Sequence, residues 1–298
     1  MQIVIAGGTG FLGRALVAWL RRDGHTVRIL TRKPRAADEI GWTPDGTTGP
    51  WAASVSEADA IVNLAGESIA SGRWTTARKA RIRESRVLAT RSLVRAISDA
   101  ARPPAAFISG SAVGYYGAHG DEPVTEQTAP GGDFLASVTR EWEAEALRAS
   151  GRTRVVLLRT GVVLEKDGGA LPQMALPFRL FAGGPVGSGR QYQAWIHRDD
   201  WVNMTTWALR TPEISGPLNV TAPTPVTNRE FASALGRALH RPSFMPAPAF
   251  AMRLLLGEMA EALLLTGQRV IPAAAQARGF HFAYPTLEAA LRAIYGPR

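Results

Sequence analysis

Residues 109–117 read SGSAVGYYG, a run that places a serine hydroxyl and two phenols within a few residues of one another. Such a set can bind a carbonyl oxygen and exchange its proton, with Ser111, Tyr115 and Tyr116 as the candidates. An unperturbed phenol ionises near ~10 and needs a positive neighbour for this work, and the sequence assigns none. His197, in Trp195-Ile196-His197-Arg198-Asp199-Asp200, is a second candidate, because imidazole titrates near neutrality. Each has a structural alternative. Paired tyrosines after a turn pack, a buried histidine can hold a loop, and Asp199 and Asp200 can cap a helix starting at Trp201. The five histidines show no metal-ligand spacing, so no metal is expected.

A second place for chemistry lies at the start of the chain. The β-rich run Gln2 to Ala6 enters Gly7-Gly8-Thr9-Gly10-Phe11-Leu12-Gly13, and a helical pattern follows. Strand, glycine turn and helix are what a dinucleotide site requires. Gly7 permits the tight exit, Gly10 lets the backbone approach a pyrophosphate, and Gly13 lets helix and sheet pack closely. The second strand, Thr26 to Thr31, ends in Arg32-Lys33, where an NAD site would carry an acidic residue. Arg32 can hold a 2′-phosphate through a charge-assisted fork and Thr31 can add a hydroxyl, so NADP(H) is favoured over NAD(H).

The elements that must position these residues alternate along the chain. Ala60 to Leu64 reads as a buried strand ending in Ala65-Gly66-Glu67, a helix is expected from Thr75 to Ala100, and Ala105–Ser109 and Val155–Arg159 read as further strands. The expected fold is α/β, a Rossmann doubly wound parallel sheet with a smaller C-terminal substrate lobe. Residues 1–165 would form the nucleotide domain, completed by parts of 195–235, and residues 166–194 and 240–298 the smaller lobe. Glycines 168–169 and 183–189 bracket a short apolar helix that suits a pocket wall, with Gln191, Tyr192 and Trp195 beside it.

With 298 residues and 46% apolar composition the chain can bury a large core. It contains no cysteine, which excludes disulfides, thiolate metal sites and a cysteine nucleophile, and fits a cytoplasmic setting. The net charge of +9 is scattered, and no nucleic-acid-binding pattern accompanies it; the basic run Arg78 to Arg86 suits a phosphate-bearing small molecule or a solvated helix face. The longest apolar stretch, Phe250 to Leu265, is interrupted by Arg253, Glu258 and Glu261, so neither a membrane span nor a membrane-surface helix is expected. Its leucines exceed one amphipathic face, and part of it suits a homodimer contact.

The motifs GGTGFLG, NLAGES, SGSAVGYYG, RTGVVL and WIHRDD, with GGPVGSG at 183–189, LGEM at 256–259, GQR at 267–269 and GF at 279–280, carry a resemblance over essentially the whole chain. It resembles an atypical subfamily of the extended short-chain dehydrogenase/reductases, the NAD-dependent epimerase/dehydratase-like "epimerase family" proteins with their own C-terminal domain of unknown function. The resemblance implies NADP(H), with Thr9, Gly10, Phe11 and Leu12 at the pyrophosphate, Thr31 and Arg32 at the 2′-phosphate, and Leu64 and Ala65 beside the adenosine. Arg86 would reach the nucleotide or stand in solvent. Active members of the broader family use a Ser/Thr, a Tyr and a Lys four residues after that Tyr, the lysine easing proton loss from the phenol. Counting back from Gly117 puts Ala112 at the serine place, and Ser111 qualifies only if a bulge turns it to the cleft. The helix Phe134 to Glu143 offers neither Tyr nor Lys: one alignment sets Phe134 and Val138 in those places, the other Leu135 and Thr139. Phe134, Val138 and Trp142 read as a core-facing stripe. Two functions follow: an NADP(H)-dependent oxidoreductase for a small, unidentified carbonyl or hydroxyl substrate, or a non-catalytic NADP(H)-binding protein. Whether the chain is an enzyme stays open at this level.

Overall fold

In a computed structural model that describes residues 1–296, seven strands form one parallel sheet. They are β1 (Gln2–Ala6), β2 (Thr26–Thr31), β3 (Glu39–Gly41), β4 (Ala60–Asn63), β5 (Ala106–Ala112), β6 (Arg154–Thr160) and β7 (Gly216–Val220). Their order is β7-β6-β5-β4-β1-β2-β3, which reverses direction between β1 and β4. A ligand crevice forms outside the carboxyl ends of the strands at such a reversal.

The inner strands are apolar without alternation because both faces are covered. On one face Ile3, Ile5, Val62 and Ile108 pack with Leu16 and Leu20 of α1 (Phe11–Arg22) and with Trp201 and Met204 of the helix Arg198–Arg210. On the other, Val4, Ala6, Ile61 and Phe107 pack with Leu93 and Ile97 of α2 (Thr76–Asp99) and Ala146 of α3 (Phe134–Leu147). Thr75 caps α2 by accepting from the Arg78 N–H, and Asp133 caps α3 by accepting from the Ala136 N–H.

The helix after the WIH strand begins at Arg198, three residues before the expected Trp201. His197 is its cap, with ring Nδ1 accepting from the Asp199 N–H at 3.1 Å. Asp200 instead accepts from the Ala283 and Tyr284 N–H groups, both at 2.9 Å, and fastens the C-terminal segment to this helix. The short strand Trp195–His197 pairs with Val162–Leu164 outside the main sheet. The apolar stretch 250–265 is not one helix: Ala249–Leu256 ends at Gly257, whose φ is +62°, before a second short helical segment to Leu265. Among the described residues no helix is long and apolar enough to cross a membrane.

Candidate functional site

At the carboxyl end of β1, Gly7 has φ +79°, and a Cβ there would sit 2.7 Å from the Leu64 carbonyl. A Cβ on Gly13 would lie 2.2 Å from the Gly7 oxygen, so only glycine lets α1 start this close to the strand. Gly10 precedes α1 without a side-chain cap, so the first-turn amides near Phe11 and Leu12 have no side-chain acceptor at Gly10. Thr9 is exposed at this opening, and its carbonyl accepts from Arg14. Such a helix start attracts an anion. The loop at Gly168 and Gly169 lies against the ring of Phe11 and walls the turn on one side.

The end of β2 carries Thr31, half-buried, and Arg32, exposed and without a hydrogen-bond or carboxylate partner among the described residues. A cation left free next to an uncapped glycine turn is what a dinucleotide bearing a further phosphate would need.

At the end of β4 the buried Asn63 gives its amide N–H to Thr90 at 2.9 Å and accepts from the Ala65 N–H at 3.2 Å, which fixes the turn Leu64-Ala65-Gly66. The Arg86 side chain lies against Gly66, donating to the Ile82 and Glu67 carbonyls. Burial lowers its pKa to about 10, so it stays positive at neutral pH. It therefore sits at the sheet edge as a held cation rather than in open solvent. Arg78, missed as a functional element in the sequence, gathers the following loop by pairing with Glu67 and donating to Ser68 and Ser71. Trp74, at the end of that loop, packs edge-on against Phe134, ring centroids 5.3 Å apart. Phe134 thus departs from the expected core stripe, whereas Val138 and Trp142 are buried.

The SGSAVGYYG run is β5 followed by a 3₁₀ turn, Val113–Tyr116. Pairing with β6 continues unbroken through Ser111↔Arg159 and Ala112↔Thr160, so there is no bulge. Ser111 is 5% exposed and donates to Glu143 Oε1, which corrects its assignment as a substrate-binding hydroxyl. Arg159 donates to both oxygens of Glu143 at 2.8 Å, and also to the Tyr116 hydroxyl and the Glu126 carbonyl. Burial opposes the charge on Arg159, but its hydrogen bonds to Glu143 and nearby charges outweigh that and raise its pKa.

Tyr116 is fully buried and donates to Asn219 Oδ1 at 2.6 Å. Burial pushes its phenol up to about 12 despite Arg159. Tyr116 is therefore a structural tyrosine, and its candidacy for proton transfer is withdrawn. Tyr115 differs. It is half-buried, its ring lies on the Arg159 guanidinium at 3.5 Å, and its hydroxyl has no partner among the described residues. Arg159, which follows the apolar run VVLL, is the cation that the ring of Tyr115 covers. Below the turn, Leu135 and Thr139 face Gly114, at 3.3 and 3.9 Å from its Cβ position. Neither of these residues is a Tyr or a Lys.

His197 is 3% exposed, its ring stacked on Tyr284 with centroids 3.9 Å apart. Burial lowers its pKa. Its cap and stacking contacts give it a packing role, which corrects its candidacy as an acid–base group. Among the described residues no cluster of three His, Asp or Glu side chains is arranged for a metal.

Residues 3–220 match the NAD dependent epimerase/dehydratase family, and residues 247–294 match a domain of unknown function, DUF1731. The chain is 45% identical to the Arabidopsis thaliana "Epimerase family protein SDR39U1 homolog, chloroplastic", over 99% of this chain and 86% of that protein. Among solved structures it is similar to human epimerase family protein SDR39U1 (isoform2) with NADPH, at TM-score 0.92 and 39% identity, covering 99% of each chain. The Thermus thermophilus UDP-glucose 4-epimerase complex with NAD shares the fold, at TM-score 0.76 and 16% identity over 99% of this chain and 98% of that one.

Proposed function

The chain belongs to the NAD dependent epimerase/dehydratase family, and from that premise we propose that it is an NADP(H)-dependent oxidoreductase acting on a small carbonyl or hydroxyl compound. The observation that carries the reading is Arg32, a cation with no partner among the described residues, beside an uncapped glycine turn. The human relative solved with NADPH supports the same nucleotide. Thr9, Gly10, Phe11 and Leu12 would hold the pyrophosphate through the start of α1, Thr31 and Arg32 the 2′-phosphate, and Leu64 and Ala65 the adenosine, with Gly66 and Arg86 at the sheet edge.

When bound, the nicotinamide supplies or accepts a hydride. The chain must then position the substrate and move one proton. Tyr115 is the phenol whose hydroxyl has no partner among the described residues, and the Arg159 guanidinium, paired with Glu143, lies against its ring. The buried Glu143–Arg159 pair holds that guanidinium in one place. Steady-state turnover over a panel of carbonyls and alcohols, read by mass spectrometry, tests the reading; tight NADPH binding with no turnover counts against it. A cytoplasmic setting is part of the same proposal, consistent with a chain free of cysteine.

One observation favours a second reading. With Leu135 and Thr139 facing the turn, the usual acid–base pair is absent, and a non-catalytic NADP(H)-binding protein would keep the pocket for its conformational effect. Partner capture with and without NADPH separates the two readings, because identical partners in both states remove this one.

A further inference from the structure

A cavity of about 370 Å³ lies between α1 and the strands β2 and β3. Gly8 and Thr9 of the glycine turn form one end of it. Arg14 and Arg21 line it along the helix, and Ile29 of β2 and Glu39 of β3 line it along the sheet. About two helical turns separate the two arginines, so they stand on one side of α1 with Arg14 toward the turn and Arg21 away from it.

The charged groups at the two ends are engaged differently. The Arg21 guanidinium pairs with Asp38, and the Glu39 carboxylate accepts from the Arg35 N–H at 2.6 Å. Arg14 is exposed and has no carboxylate partner among the described residues. Its Nη1 donates to the Thr9 carbonyl at 2.9 Å, which folds the side chain back onto the glycine turn. A guanidinium carries five N–H donors in a planar fork, and this contact uses one of them. The positive end of α1 adds to the same field.

The glycine turn and β2 meet at this cavity. The Ile29 side chain lies 2.9 Å from the Cβ position of Gly8, and Arg32 directly follows the last residue of β2. A dinucleotide with its pyrophosphate on the start of α1 and its adenine toward Leu64 and Ala65 has its adenosine ribose between the turn and the end of β2. In NADP(H) that ribose carries a phosphate, whose three terminal oxygens and nearly double negative charge exceed what one guanidinium fork satisfies.

We infer that Arg14 is a second cofactor-selecting residue, holding the 2′-phosphate of NADP(H) from the glycine turn while Arg32 holds it from the end of β2. This rests on NADP(H) as the cofactor. Fluorescence titration of the full chain with NADPH and NADH, and calorimetric titration with adenosine 2′,5′-bisphosphate and 5′-AMP, test it. Arg14→Gln weakens NADPH and the bisphosphate by about tenfold and leaves NADH and 5′-AMP within about twofold. The retained NADH affinity shows that the glycine turn is intact. Arg21→Gln, in the same cavity but at a residue already paired with Asp38, leaves the ratio of NADPH to NADH affinity unchanged. Equal losses of NADPH and NADH in Arg14→Gln make Arg14 a structural tie of the turn, and an equal loss of preference in Arg21→Gln reduces the effect to overall charge. Either result overturns the inference, as does an NADPH preference unmoved by Arg14→Gln. If the unaltered chain binds NADPH no more tightly than NADH, the cofactor reading falls with it; a clear preference that survives Arg14→Gln sinks the role of Arg14 alone.

Discussion

The Ser111 hydroxyl donates to Glu143 Oε1 at 2.5 Å, and the same oxygen accepts from Arg159 Nε at 2.8 Å. A serine spent in this way works between β5 and α3 instead of in the cleft. Ser111→Ala is expected to lower stability by about 1–3 kcal/mol, the range for a hydrogen bond to a buried charged group. NADPH affinity should stay within about twofold of the parent, as a hydrogen bond made away from the nucleotide predicts. Urea unfolding and fluorescence titration read the two effects separately.

Glu143 and Arg159 neutralise each other while nearly out of reach of water, their side chains 6% and 4% exposed. Glu143→Ala leaves an uncompensated buried guanidinium and should cost about 3–5 kcal/mol, whereas the double change Glu143→Leu with Arg159→Met should recover much of that loss. Chemical denaturation of the three variants gives the comparison. Equal destabilisation by the single and double changes would mean that the pair matters for its shape alone.

Arg32→Glu replaces a cation that has no partner among the described residues by a carboxylate where a 2′-phosphate is expected. NADPH affinity should fall by about 10–100-fold, the value of a charge-assisted contact, with little change for NADH. Parallel titrations with the two nucleotides check this, and an unchanged NADPH preference would refute the placement of the phosphate.

Tyr115→Phe removes one hydroxyl and keeps the ring on Arg159. For any substrate that turns over, kcat should drop by about 10²–10⁴-fold while NADPH binding holds, as for loss of a general acid–base group. Tyr116→Phe should act through stability instead, because its hydroxyl is committed to Asn219. Activity lost equally in both variants would place the proton elsewhere.

The pH response follows from His197. Burial lowers its pKa below the ordinary 6.5, so between the lowered value and 6.5 the unfolded chain binds more protons than the folded one. Its contribution to stability is complete above 6.5 and is lost as the pH falls through that window. His197→Asn keeps a helix-capping acceptor and cannot titrate, so thermal melts from pH 8 to pH 5 should decline less steeply than the parent. Superimposable curves would show that other groups set the acid response.

The inner strands were legible because they are apolar runs that end near glycine turns, Ile3 to Ala6 before Gly7 and Ala60 to Val62 before Gly66, whereas the edge strand Glu39–Gly41 has no such run to mark it. The place of Arg32 just past β2 was legible because local order alone puts it there. The surroundings of the candidate hydroxyls were not, since the contacts that decide them join residues far apart in the chain, Ser111 with Glu143 and Tyr115 with Arg159. Counting residues back from Gly117 raised the doubt about Ser111, but only strand pairing with β6 could exclude a bulge. The cap at His197 was misread for a related reason: Asp200 resembles a capping residue until Ala283 and Tyr284, more than eighty positions later, claim its oxygens.

A single oxygen, Glu126 Oε1, accepts from the backbone N–H of Asn219 at 3.0 Å and of Ala274 at 3.2 Å. During synthesis at about 5–20 residues per second, Ala274 leaves the ribosome several seconds after Asn219. Until then the last strand of the sheet can dock, but its end lacks the peptide that shares its acceptor. The short helix Ala273–Ala277 thus closes off the edge strand β7, and a chain lacking it is expected to leave that edge open to other polypeptides.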